Sequence, residues 1–156
     1  MKKLAQELED TAPAGFYTDE IREGGVRHGF ELASLDGRKR LLSHIDIKST
    51  YRVGRYGVDI RGFEMFLDAL ALTDPNVGLV MIDEIGKMEC LSQRFKSVVR
   101  TVLDSGKVVI ATVALKGPGF IAEVKGRDDA MLFEMTLENR DALAEEILRH
   151  VKTSDD

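Results

Sequence analysis

The sequence predicts an α/β domain built on a parallel core with antiparallel hairpins added, and three observations carry that reading. Leu79 to Ile82 and Lys107 to Val113 are short apolar runs of the kind buried in parallel sheets. Between them, Leu91, Phe95, Val98, Val99, Val102 and Leu103 recur at helical spacing, so strand, helix and strand follow in the order of a right-handed βαβ unit. Upstream, Phe16 to Ile45 is interrupted by Glu23-Gly24-Gly25 and by Asp36-Gly37, which reads as a meander of hairpins that need not belong to the parallel core.

Composition bounds the rest. A chain of 156 residues, 44% hydrophobic and 31% charged, suits one domain over residues 1–152 followed by a polar tail at 153–156. A formal net charge of -5 argues against nucleic acid as the main partner. Cys90 is the sole cysteine and no run reaches membrane-spanning length, which together point to a reduced, cytoplasmic setting without a membrane partner.

Taken in order, Leu4, Ala5 and Leu8 mark about two turns of helix that begin without a capping side chain. Pro13 ends them, and the hairpins follow. Tyr51 to Asp59, rich in Gly, Tyr and Arg and lacking a period, reads as a loop. Phe63, Phe66, Leu67 and Leu70 then share one helical face, and Asp74-Pro75-Asn76 turns the chain into the central strand. After the βαβ unit, Gly117-Pro118-Gly119 opens a connection to a short helix at Phe120 to Val124. Met131 to Thr136 reads as a further strand, and Asn139 to Val151 as a closing helix capped by Thr136 or Asn139.

The chemistry concentrates where the central strand ends. Asp83 and Glu84 leave it as adjacent acids, and ligands of open α/β sheets bind outside the carboxyl ends of the strands. One carboxylate there can hold Mg²⁺ while the other polarises a water. The same pair also fits a plain structural role, with Asp83 capping the next helix and Glu84 in its first turn. Arg22, between a strand and a turn, can reach phosphate oxygens, although its spacing favours an ion pair with Glu20 or Glu23. Arg38-Lys39-Arg40 reads as a solvated hairpin end.

Other chemistries find little support. The three histidines (28, 44 and 150) and Cys90 show no zinc-type spacing, and His28 and His44 read as ordinary surface residues of the hairpins. Cys90 has no histidine near it in sequence, and no G-x-S-x-G elbow is present. A phosphate-cradling G-x-x-x-x-G-K-[ST] loop is also absent. Gly106-Lys107 precedes a strand where a helix is needed, and Gly86-Lys87 lies beyond the acids.

Five blocks in fixed order nevertheless point to a family: Gly15 to Arg22, Arg27 to Phe30, Tyr56 to Asp59, Asp83-Glu84-Ile85-Gly86-Lys87-Met88-Glu89 and Thr136-Leu137-Glu138-Asn139-Arg140. Together they resemble the thermostable, cancer-related nucleoside-triphosphatase family of P-loop NTPases. The resemblance implies a three-layer α/β sandwich with a mostly parallel sheet. It also implies Mg²⁺-dependent hydrolysis of ATP, GTP and other nucleoside triphosphates to diphosphate and phosphate. By the same resemblance, Asp83 would hold the metal, Glu84 would act on the attacking water, Lys87 and Arg22 would offset charge on the γ-phosphate, and Asn139 and Arg140 would lie near the base.

Members of the family begin with a strand and a glycine-rich loop, and Met1 to Ala5 is similar to the helix that follows that loop. The expectation is therefore a fold without its first strand and phosphate loop and an impaired activity. A truncated or degenerate, non-catalytic interaction protein is the alternative, and a P-loop nucleotide or cofactor kinase is a further one.

Overall fold

The computed structural model describes residues 1–153. Its elements are α1 (Lys2–Glu7), β1 (Ala14–Glu23), β2 (Val26–Ser34), β3 (Lys39–His44), β4 (Arg52–Val53), β5 (Tyr56–Val58), α2 (Ile60–Leu70), β6 (Leu79–Ile85), α3 (Gln93–Leu103), β7 (Val108–Val113), α4 (Phe120–Lys125) and α5 (Arg140–Thr153). Thr153, assigned from sequence to the polar tail, ends α5, and the remainder of that tail lies outside the described residues.

Seven strands form one sheet in the order β4-β5-β3-β2-β1-β6-β7. The pairings β1–β6 and β6–β7 are parallel, while β1–β2, β2–β3, β3–β5 and β4–β5 are antiparallel. The sheet is therefore mixed: the hairpins continue the parallel core edge to edge, so most of its pairings are antiparallel. The join is tight. Gly15 faces Met81 across the β1–β6 ladder, where a Cβ on residue 15 would stand 1.9 Å from the Met81 carbonyl oxygen.

Alternation along β6 divides the core. Val80 and Ile82 enter a large cluster with Phe16, Phe63, Phe66 and Phe95, where α2 and α3 cover one face. Leu79 and Met81 enter a smaller cluster on the other face with Leu4 and Leu8, Ile110 and Val151 of α5. The result is a helix–sheet–helix sandwich. The α2 stripe forms as its spacing predicts, and Asp59 caps it by accepting from the Gly62 amide at 2.9 Å. Ser92 does the same for α3 through the Phe95 amide at 3.0 Å.

Two elements differ from the sequence reading. The segment read as a loop at Tyr51 to Asp59 contains the small β4–β5 ribbon, pinned by its pairing to β3, a tertiary contact that local periodicity does not register. Met131 to Thr136 is not a strand. It has strand-type residues but no ladder partner, and Met131, Leu132 and Met135 stand exposed.

Phe16 holds the larger cluster together. It is fully buried, with ring centroids 6.1 Å from Phe63, 5.9 Å from Phe66 and 6.5 Å from Phe95, all edge-on. Phe16→Ala is expected to lower unfolding stability by about 3–5 kcal/mol. Urea titration should show the fall as a shift in midpoint at unchanged slope, and a loss below about 1 kcal/mol would mean that the cluster closes over the gap.

Candidate active site

β6 is buried on both faces over Leu79 to Ile82 and then meets solvent at Asp83 and Glu84. Both acids belong to the strand itself, so neither one caps the following helix, a role taken by Ser92. Asp83 is fixed from its two neighbouring strands. Thr112 of β7 donates its hydroxyl to Asp83 Oδ1 at 2.6 Å, and Thr18 of β1 donates to the Asp83 carbonyl at 3.3 Å. Oδ2 of Asp83 is thereby left for another partner.

Glu84 projects beside a cavity of about 370 Å³ whose lining includes Thr18, Arg27, Tyr56, Lys87 and Glu89. Although Glu84 as a whole residue is exposed, desolvation of its carboxyl by the surrounding chain raises its pKa, and the neighbouring Asp83 charge adds to the effect. Lys87 is exposed at the same cavity and has no anionic partner among the described residues.

Glu89 is the acid that sequence reasoning passed over. It is 3% exposed, and burial pushes its carboxyl up to about 8, with the charges of Glu84 and Asp83 acting in the same direction. Gly86 makes this crowding possible, because a Cβ there would stand 2.6 Å from Glu84 Oε1 and 3.0 Å from Glu89 Oε2. The signal was present in Glu84-Ile85-Gly86-Lys87-Met88-Glu89, two acids spaced around a glycine, but their approach depends on the turn after β6 and the short 3-10 segment at Glu89–Leu91.

The opposite wall comes from the hairpins. Arg27 donates from Nε to the Tyr56 hydroxyl at 3.0 Å and from a terminal nitrogen to Glu20 Oε1 at 2.8 Å, with its guanidinium 5.2 Å from the centre of the Phe30 ring. Contact with Arg27 lowers the Tyr56 pKa and the Glu20 pKa. Arg27 thus lines the cavity. Arg22 is bound to Glu20 at 2.6 Å and to the Gly25 carbonyl at 3.1 Å, at the hairpin end and outside the cavity lining. Arg27 and Tyr56 lie in the Arg27-to-Phe30 and Tyr56-to-Asp59 blocks, and only the sheet order brings them together.

Asn139 and Arg140 are not brought to this cavity. Asn139 closes a local capping turn instead: its Oδ1 accepts from the Thr136 amide at 2.7 Å, while its own amide donates to the Thr136 hydroxyl at 3.2 Å. Arg140 opens α5 on the exposed side. Cys90 is half-buried and burial pushes its thiol up to about 11, consistent with an inert residue.

The layered α/β sheet is, in fold, that of a P-loop NTPase-class domain, and the paired carboxylates stand at the end of its middle parallel strand. The sequence profile described as "NTPase" matches residues 1–148. The chain is 40% identical over 153 residues to the nucleoside-triphosphatase THEP1 of Thermotoga maritima, an alignment covering 97% of this chain and 87% of that one. It is 37% identical over 154 residues to the human cancer-related nucleoside-triphosphatase, covering 90% and 81%.

Two solved structures are similar. The crystal structure of THEP1 from Aquifex aeolicus has a TM-score of 0.80 at 30% identity, covering 94% of this chain and 88% of that one. The solution structure of the human protein has a TM-score of 0.78 at 34% identity, covering 98% and 89%. The chain belongs to this nucleoside-triphosphatase family.

Glu89 gives the site a pH signature. Because its pKa is higher in the folded chain than its ordinary value of 4.5, the folded state holds a proton that the unfolded state releases, and stability falls as pH rises from about 4.5 to about 8. Glu89→Gln should remove that fall, with the difference growing at up to about 1.4 kcal/mol per pH unit across the window. Denaturation midpoints of the two proteins at pH 5 to 8 check it, and parallel curves would mean that Glu89 ionises freely.

Proposed function

We propose that this protein hydrolyses nucleoside triphosphates, ATP and GTP among them, to diphosphate and phosphate in the cytoplasm, and that residues 1–156 by themselves do so slowly. The observation that carries the reading is the carboxylate pair at the end of β6, set against a cavity wall holding Arg27 and Lys87. Support for the reaction comes from the family, whose members named above are nucleoside-triphosphatases. Support for the slowness is the absence of any G-x-x-x-x-G-K-[ST] pattern from the 156 residues.

Each residue then has a role. Asp83 Oδ2 is the oxygen open to Mg²⁺, and the neighbouring donors are carboxylates and threonine hydroxyls, the all-oxygen chemistry that a hard cation takes. Bound there, Mg²⁺ would neutralise charge on the phosphate oxygens. Glu84 orients the attacking water and accepts its proton, and the raised pKa makes it a stronger base than an ordinary glutamate. Lys87 and Arg27 face the charge that develops as the terminal phosphoryl group departs, and the rigid contacts of Arg27 with Tyr56 and Glu20 hold its fork in place. Arg22 acts through Glu20, which it shares with Arg27. Asn139 and Arg140 are assigned to the base side of the nucleotide on the family resemblance.

Phosphate release from ATP and GTP is expected to require Mg²⁺ and to fall about 10²–10⁴-fold in Glu84→Gln. The two proteins should have the same circular dichroism spectrum. Equal rates in the two would remove Glu84 from the chemistry, and transfer of labelled phosphate to a small-molecule acceptor in place of water would make the protein a kinase. A folded wild-type chain that releases no phosphate under any of these conditions would be a non-catalytic member of the family.

A further inference from the structure

On the hairpins, away from the carboxylate cavity, two histidines and a glutamate meet. We propose that Glu23, His28 and His44 form a binding site for a divalent transition-metal ion of the Zn²⁺ class, which clasps the end of the β1–β2 hairpin to β3.

The three side chains offer one ligand atom each, all within 4.8 Å of one another. His28 Nδ1 already stands 3.2 Å from Glu23 Oε2, close to the roughly 3.3 Å that separates two ligands of a tetrahedral ion with bonds of about 2.0–2.1 Å. The histidine rings lie edge to face with centroids 6.0 Å apart. One ring nitrogen of His44 is among those ligand atoms, and its Nδ1 accepts from the Asp46 backbone amide at 3.2 Å with the Asp46 carboxylate 3.3 Å away. Glu23 is exposed, and the side chains of His28 and His44 are 25% and 17% exposed, so an ion can enter from solvent.

The backbone is shaped for this meeting. Ile21 pairs with Gly29 and Arg22 with Arg27, so His28 is an extra residue in the ladder, a β-bulge. Gly29, not His28, is the direct partner of His44. Regular alternation would send His28 to the opposite face, and the bulge turns it back toward His44. Gly29 then clears the space, because a Cβ there would stand 3.0 Å from His44 Cδ2 and 2.2 Å from the Ser43 carbonyl oxygen. Two imidazoles and one carboxylate suit Zn²⁺, Co²⁺ or Ni²⁺ better than Mg²⁺, which prefers oxygen alone. Three protein ligands leave a fourth position for water. None of the three residues lines the cavity beside Glu84.

The chain has three histidines, and His150 lies in α5, so the test needs no mutation to begin. The histidine ring resonances of the full chain are followed by NMR as ZnCl₂ is added. Those of His28 and His44 should shift together and saturate at about one Zn²⁺ per chain while His150 stays fixed. Calorimetry with ZnCl₂ should then show affinity reduced at least about tenfold in His28→Gln and in His44→Gln, and unchanged in Asp83→Asn, which tests for uptake at the β6 carboxylates instead. Zn²⁺ should also raise the melting temperature of the wild type but not of His44→Gln. Unmoved His28 and His44 resonances at saturating Zn²⁺, or loss of Zn²⁺ binding in Asp83→Asn, would overturn the proposal and leave Glu23 and His28 as a plain polar contact.

Discussion

The site depends on a conflict within one strand. β6 is packed on both faces by apolar side chains, from which burial on the order of 1.5–3 kcal/mol per large residue is available, yet the same strand ends in carboxylates. The apolar part fixes where the acids stand. Hydroxyls from β1 and β7 then fix how Asp83 is turned, since each neighbouring strand contributes one threonine. Such a placement tolerates little movement, because a slip of one residue along β6 would exchange its two faces and drive Val80 and Ile82 out of the aromatic cluster.

Crowding of acids follows from the same geometry. Glu84 and Glu89 share a space that exists because Gly86 carries no Cβ. Burial acts on each, the Asp83 charge raises both, and the Glu84 charge raises Glu89 further, so the region favours holding a proton or meeting a cation. A structural pair of surface acids would have neither property. The opposite wall supplies positive charge in a more rigid form: Arg27 is gripped by Tyr56 and Glu20 and lies against Phe30, while Lys87 remains free among the described residues.

Legibility in the sequence followed locality. The two parallel strands, the α2 and α3 stripes and the hairpin turns all write their pattern within about a dozen residues, and each forms where its period indicates. The placement of Asp83, Glu84 and Lys87 at the end of β6 and beside the cavity is local in the same way, being contiguous with the strand that carries them. That of Arg27 and Tyr56 is not, since their meeting at 3.0 Å spans 29 residues and requires β5 to pair with β3. Arg22 keeps the ion pair with Glu20 that its spacing favours, and Arg27, which also reaches Glu20, is brought to the cavity only by the arrival of Tyr56 from β5. Met131 to Thr136 failed differently. Its composition suits a strand, but composition cannot supply the neighbour that a ladder requires.

The antiparallel extension is more than an appendage of the parallel core, because it turns a strand end into an enclosure. Parallel strands alone deliver carboxylates to open solvent, where water would screen them. β2, β3 and β5 bring Arg27, Phe30, Leu42 and Tyr56 around to the same space. The bulge in β2 makes two uses of one strand compatible: Arg27 and Phe30 turn toward the cavity, while the extra residue lets His28 join His44 on the other side. One extra residue of backbone thus serves both faces of the hairpin, turning His28 toward His44 while Arg27 stays on the cavity side.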